Sequence, residues 1–448
     1  MRRQVLASLL VIGLAAIAHA NGRSPQTIGI YPKPGEPQTL YLQTTFGLLS
    51  TTDEGCTFRW MCEQSIGYGG TWDPHYAIGS DGTIFATTFE GLRVSRDAGC
   101  SFETATASLP MNDPNRIADI WIDALDIGPT GEIWVGTAET GHTNDVFVSL
   151  DNGVTFTSRG MLSPEVWWKS VKVAPSNPAT VYITGYQVAD TPQAYAYRTT
   201  NGGMDWTPSP LTGVQYASTP VVRIKAVDPT NPDVVYMASE GANPPSGDRL
   251  YRSADGGQTW TEVLATPSTI HDVVIRDAQH VLIATQIKTT SSIMGGPAYQ
   301  SSDAGASFTP IDGAPQLACL AKRGDGTLFG CGANWDPDFK AVARSTDGGA
   351  TWEKVWRFVE IAGAVQCPEG TVQHDTCDVA LWDCPSCQTD LKRQFGAKGP
   401  MCGAAGADPA VPPVKKGGGC CDAGGAGEGA ASALVWLLVI GACIARRR

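Results

Sequence analysis

The sequence predicts an all-β chain: a seven-bladed β-propeller over residues 27–362, then a Cys-rich C-terminal stalk and a terminal hydrophobic helix. Three observations lead there. A motif of the form Ser/Thr-x-Asp-x-Gly-x-Thr/Ser-Trp/Phe occurs seven times, 44 to 54 residues apart. Each interval holds four short β-rich runs, the content of one propeller blade. No helical periodicity of useful length interrupts residues 27–362.

The chain opens on a secretory signal peptide, residues 1–20. Arg2 and Arg3 supply the positive start, Val5–Ala18 the apolar run, and Ala18-His19-Ala20 the small-x-small cleavage pattern. The run is short for a membrane span and polar chain follows it at once. The rest is acidic, with a formal charge of −12 for the whole chain, and 51 Gly, 30 Pro and 13 Trp among 448 residues. That mix is too aromatic for disorder and too turn-rich for helices. An acidic body lacks the positive footprint of a nucleic-acid binder.

In the propeller segment the seven turns centre on Asp53, Asp97, Asp151, Asn201, Asp255, Asp303 and Asp347. The side chain can accept hydrogen bonds from backbone N–H groups of its own turn. The Gly takes a backbone conformation costly for other residues. The Trp or Phe opens the next strand and buries a large apolar face. These residues build the fold and are not expected to be catalytic, and one carboxylate per turn is too few for a metal. The strands before each motif follow one order: His75–Gly79 and Thr83–Thr88, Ile120–Ile127 and Glu132–Thr137, Lys169–Val173 and Thr180–Gly185, Val221–Val227 and Val234–Ala238.

The repeat, written out as Thr51-Thr52-Asp53-Glu54-Gly55-Cys56-Thr57-Phe58 in its first copy, resembles the Asp-box or bacterial neuraminidase (BNR) repeat. That repeat occurs in sialidases, sortilin-type receptors, xyloglucan-degrading hydrolases and the propellers that assist photosystem II assembly. Seven blades in one domain are most similar to the last group. A sialidase would add three convergent Arg, a Tyr–Glu nucleophile pair, an Asp acid and an Arg-Ile-Pro segment. Here Arg116-Ile117-Ala118 is the nearest run, and only Arg116, Arg223 and Arg249 could form a trio. Arg323-Gly324-Asp325 spells an adhesion tripeptide but reads as ordinary hairpin chemistry.

Thirteen Cys in a secreted chain predict disulfides. Cys319 and Cys331 each stand six residues from Asp325 and should face each other across a hairpin. One pair is expected among Cys56, Cys62 and Cys100. Residues 363–402 carry Cys367, Cys377, Cys384, Cys387 and Cys402, read as a disulfide-stapled stalk in preference to a zinc knuckle or redox pair. Residues 403–421 are a Gly/Ala/Pro linker ending in Cys420-Cys421, and residues 429–448 an apolar run closed by three Arg. Gly-rich spacer, Cys pair, short span and terminal Arg cluster together resemble the myxobacterial C-terminal sorting signal (MYXO-CTERM). The resemblance implies membrane attachment before processing, a sorting machinery as partner, display on the cell surface or outer membrane, and Cys420 and Cys421 as processing residues.

Loops alternate between the two faces of a propeller. The motif turns and the short turns between strands one and two share one face; longer, more varied loops occupy the other and are where binding is expected. They carry Trp72 and Trp335, and acids including Asp145 and Asp248. About six residues upstream of each first turn, the starts of the innermost strands place His75, Asp123, Lys169, Arg223 and His271 at the channel mouth. The expectation is a noncatalytic binding or adhesion module for a glycan or protein ligand, with no cofactor, no metal and no nucleic acid. The alternative is a glycoside hydrolase, sialidase-like or another exo-glycosidase, with its site at the same mouth.

Overall fold

In the computed structural model, residues 24–401 are described, apart from 70–71, 190, 244–246, 290–291, 336–337 and 388–389. The signal peptide, Cys402, the linker, Cys420-Cys421 and the terminal apolar run lie outside these residues. No helix among the described residues is long and apolar enough to cross a membrane.

Seven sheets follow one another along the chain, each built on a run of consecutive antiparallel strands. Blade one comprises Thr27–Pro32, Leu40–Thr44, Gly47–Thr51 and Arg59–Met61. Blades two to six begin with Tyr76–Ile78, Ile122–Ile127, Val166–Ala174, Val222–Val227 and Thr269–Ile275. Blade seven runs from Cys319–Lys322 to Glu353–Trp356. The expected second strands recur within a few residues, as in Ile84–Thr88 and Ile133–Thr137. Apolar side chains pack between neighbouring sheets. Phe85 of blade two, for example, sits in one buried cluster with Ile122, Ile133 and Val135 of blade three.

The seven acidic turns repeat one geometry. In blade two, the Ser95 hydroxyl donates to Asp97 Oδ1 at 2.9 Å and accepts from Gly99 N at 2.9 Å. Asp97 also accepts from Ser101 N at 2.9 Å and Ser101 Oγ at 2.6 Å. Asn201 does the same work as a neutral acceptor, taking bonds from Thr199 Oγ1 at 2.8 Å and Asp205 N at 3.0 Å. Two consecutive residues in each turn are left-handed. The motif Gly has φ +93° at Gly99, and the residue before it also has positive φ: 59° at Ala98, 61° at Glu54, 60° at Ala304. A Cβ on Gly99 would lie 2.1 Å from Met61 Sδ of blade one, so the turn needs glycine for space as well as conformation.

These turns also fix the two faces. Asn152 Nδ2, in the acidic turn of blade three, donates to Asp81 Oδ2 in the first turn of blade two at 2.7 Å. Gly256 N, in that of blade five, donates to Asp233 O in the first turn of its own blade at 2.9 Å. Both turn sets therefore share one face, and the innermost strands start on the other.

Blade seven is built from four consecutive strands, and the first four strands of blade one are likewise consecutive. Thr27 Oγ1 of blade one donates to Ala341 O of blade seven at 2.7 Å, and Leu40, Leu42 and Phe58 share a core with Phe329, Val342 and Trp356. The chain then doubles back. Gly363–Ala364 adds a parallel fifth strand outside Arg59–Met61 of blade one. Beyond it a π-helix, Gln373–Trp382, packs on the same edge, and Gln373 Nε2 donates to Trp60 O at 2.8 Å.

Disulfides lock this arrangement. Cys319 pairs with Cys331 across the hairpin, as the spacing predicted. The expected pair among Cys56, Cys62 and Cys100 does not form. Cys62 bonds Cys377 and Cys100 bonds Cys367, because the returning segment lies closer to each than they do to one another; Cys56 is disulfide-bonded as well. Cys384 and Cys387 close a local disulfide. The Cys-rich segment thus does not stand off as a stalk. Its aromatic side chains, Trp382 and Phe395, find apolar surface on blade one and bury there.

Candidate functional site

A cavity of 460 Å³ occupies the central channel at the mouth where the innermost strands start. His75, Asp123, Lys169, Arg223 and His271, each contributed by a different blade from two to six, all line it. Lys225, two residues beyond Arg223, lines it too, as does Lys172, three beyond Lys169 past a register shift in its strand. Glu240 and Lys288 reach it from the second strands of blades five and six.

Asp123 is the buried centre, its side chain 1% exposed. Lys169 Nζ contacts its Oδ2, Arg223 Nη2 lies 3.4 Å from both oxygens, and His75 Nε2 3.7 Å from Oδ1. Arg223 also donates to Glu240 Oε1 from Nε at 2.9 Å and to the Lys169 carbonyl from Nη1. One aspartate alone would not hold so many cations; Glu240 completes the balance on the far side of Arg223.

The electrostatics agree with a positive channel. Burial raises a carboxyl, yet Arg223, Lys225, Lys288 and Lys169 together outweigh it and hold Glu240 down at about 2. Burial, helped by Lys225 and Lys288 against the opposing Asp272, holds the His271 imidazole at about 4. His75 is likewise held well below its ordinary value, by enclosure in the channel and then by Arg223 and Lys225, although half its side-chain surface opens onto the channel. Burial and then Arg223 push the Lys169 ammonium down, while contact with Asp123 keeps it ion-paired. Both imidazoles are therefore neutral near pH 7.

Trp72 lines the cavity, in edge contact with His75 at 6.4 Å. It belongs to a ledge that reading the sequence did not find. Phe89 lies 4.9 Å from Trp72 and 5.0 Å from Trp121, Trp121 5.4 Å from Trp167, and Trp167 5.9 Å from Tyr186. Lys169 Nζ sits over Trp121 at 4.5 Å. The signal was the two-residue period itself: Trp121-x-Asp123 and Trp167-x-Lys169 put a Trp on the same face as each lining residue.

Other expected residues lie elsewhere. Trp335 is not at the channel; it packs on Phe358 at 6.3 Å, because the returning segment brings that ring over the loop of blade seven. Arg116 donates to the Thr106, Ala107 and Leu109 carbonyls, and Arg249 to both oxygens of Glu262 at 2.8 Å. Only Arg223 of the three reaches the mouth. Asp145 and Asp248, both pushed up by burial, accept from loop backbone N–H groups at 2.7–2.8 Å.

No family model matches the chain, and no curated protein matches it. Among solved structures it is similar to a GH74 enzyme of Niastella koreensis (16% identity, covering 73% of this chain and 65% of that one, TM-score 0.42). It is also similar to YCF48 of Cyanidioschyzon merolae (14%, 69% and 92%, 0.45) and to a PL25 ulvan lyase (12%, 73% and 94%, 0.43). The chain spans under two thirds of the length of the GH74 chain. At these identities the likeness concerns the propeller architecture alone.

Proposed function

We propose that this protein is a secreted, cell-surface propeller that binds a glycan or protein ligand, without turnover, at the channel mouth opposite its acidic turns. In this reading the turns are Asp-box repeats, and the C-terminal tail is the sorting element that brings the domain to the surface. The observation that carries the binding role is the state of the channel carboxylates. Asp123 is enclosed by Lys169, Arg223 and His75, and Glu240 is held ionised by the cations around it. Glycosidic cleavage needs one carboxyl kept protonated as the acid, beside a second that stays charged. Glu240 is held ionised, Asp123 is engaged by three cationic side chains, and the Arg trio of a sialidase is dispersed.

A panel of fluorogenic glycosides assayed with the full chain, in parallel with capture on a glycan array and on cell-surface protein extracts, tests this. The expected result is saturable binding with no released fluorophore. Release that disappears in Asp123→Asn or Arg223→Ala would establish the hydrolase in its place.

A further inference from the structure

The mouth is lopsided. Blades two to four present Trp72, Phe89, Trp121, Trp167 and Tyr186 in an unbroken row, with Phe89 51% exposed and the others partly exposed. At the register of Trp121 and Trp167, two residues before the lining residue, blades five and six carry Val221 and Thr269 instead. Lys225 of blade five and Lys288 of blade six line the same cavity. Lys169, Lys172 and Arg223 each have a carboxylate partner, Asp123, Asp126 and Glu240 respectively. Lys225 and Lys288 have no ion pair or hydrogen bond among the described residues.

We infer that the mouth is built for an acidic oligosaccharide, whose sugar rings lie along the Trp72–Tyr186 ledge and whose carboxylate or sulfate groups reach Lys225 and Lys288. The inference rests on the binding reading above and names its ligand class. A pyranose ring offers an apolar C–H face that an aromatic ring covers well, and the row sets several such rings side by side along the mouth. An exposed aromatic row is an unusual surface for a chain of net charge −12 unless something covers it. The two lysines without an ion-pair partner favour an anionic cover; the cations of the channel keep Glu240 ionised, and burial together with those cations keeps His75 and His271 neutral hydrogen-bonding groups. Two lysines suit intermittent acid groups on a polar chain better than the dense phosphates of a nucleic acid.

The full chain is titrated with hexagalacturonic acid, its methyl ester and a sulfated galactan hexasaccharide, following tryptophan fluorescence. An acidic sugar should bind at least about tenfold more tightly than the ester, as expected when charge-assisted contacts are lost. Tighter binding of the sulfated chain identifies sulfate as the acid and supports the inference equally. The variant Lys225→Gln/Lys288→Gln should erase the preference, so that acid and ester bind alike. Phe89→Ala, at an exposed position, should weaken both. Equal binding of acid and ester overturns the acidic ligand but leaves a noncatalytic glycan binder standing. Binding of hexaglutamate or of a thymidine hexamer, with none of the sugars bound, overturns the sugar. Cleavage of any titrant sinks the noncatalytic reading instead, and does so whichever sugar is preferred.

Discussion

Asp255 and Asp347 are exposed, yet both are held down at about 2, chiefly by the hydroxyls of Thr259 and Thr351. A carboxyl lower in the folded than in the unfolded chain, where it titrates near ~4, stabilises only while ionised. That contribution is complete above ~4 and disappears as the pH drops through about 2. The melting temperature should therefore fall steeply between those limits as the turn carboxylates protonate. Asp255→Asn should flatten part of the slope, since Asn201 already serves its turn as a neutral acceptor. At this scale the sequence was most informative about chemistry with a local cause. The acid, hydroxyl and glycine of each turn are within a few positions of one another, and their bonds could be written from the spacing. The lining residues could also be placed, because one register count from a known turn reaches them. The partners of Asp123 could not, since Lys169 and Arg223 come from other blades and only the closed circle brings them into contact.

At the scale of the hairpin, the residue before each motif Gly is left-handed whatever its identity. Three of the seven copies put Gly there, as Gly202, Gly256 and Gly348, while Ala98 holds φ 59° without that freedom. A left-handed non-glycine costs roughly 1–2 kcal/mol, and glycine's extra freedom in the unfolded chain returns part of that. Ala98→Gly should stabilise the protein by roughly 0.5–1 kcal/mol in urea unfolding, with no change in the slope. Strands were legible at this scale because each is a short β-rich run bounded by turn residues. The aromatic ledge was not. Its members come from the loop before blade two, from strand starts, from the end of a second strand and from a loop between second and third strands, and nothing in one blade's sequence says that its tryptophan will meet the next blade's.

At the scale of the molecule, closure is the feature the repeat count left undetermined. Seven copies specify seven sheets, but not what joins the last to the first. Here the chain returns across blade one and bonds to blades one and two through Cys62–Cys377 and Cys100–Cys367, spanning 315 and 267 residues. Replacing Cys100 and Cys367 together by Ala should cost roughly 2–5 kcal/mol, because the unfolded chain regains the freedom of a very long loop. Calorimetry of the oxidised variant checks this. A loss within error would mean that Cys62–Cys377, the parallel strand Gly363–Ala364 and the buried Trp382 hold the join without the second bridge.

The returning segment has a mechanical consequence. Any pull on the C-terminal end enters the domain through a clasp on the rim of the first two blades. It reaches those sheets as shear across two sulfur bridges and does not peel the last blade outward. The seam between first and last blades is then crossed by its own strap.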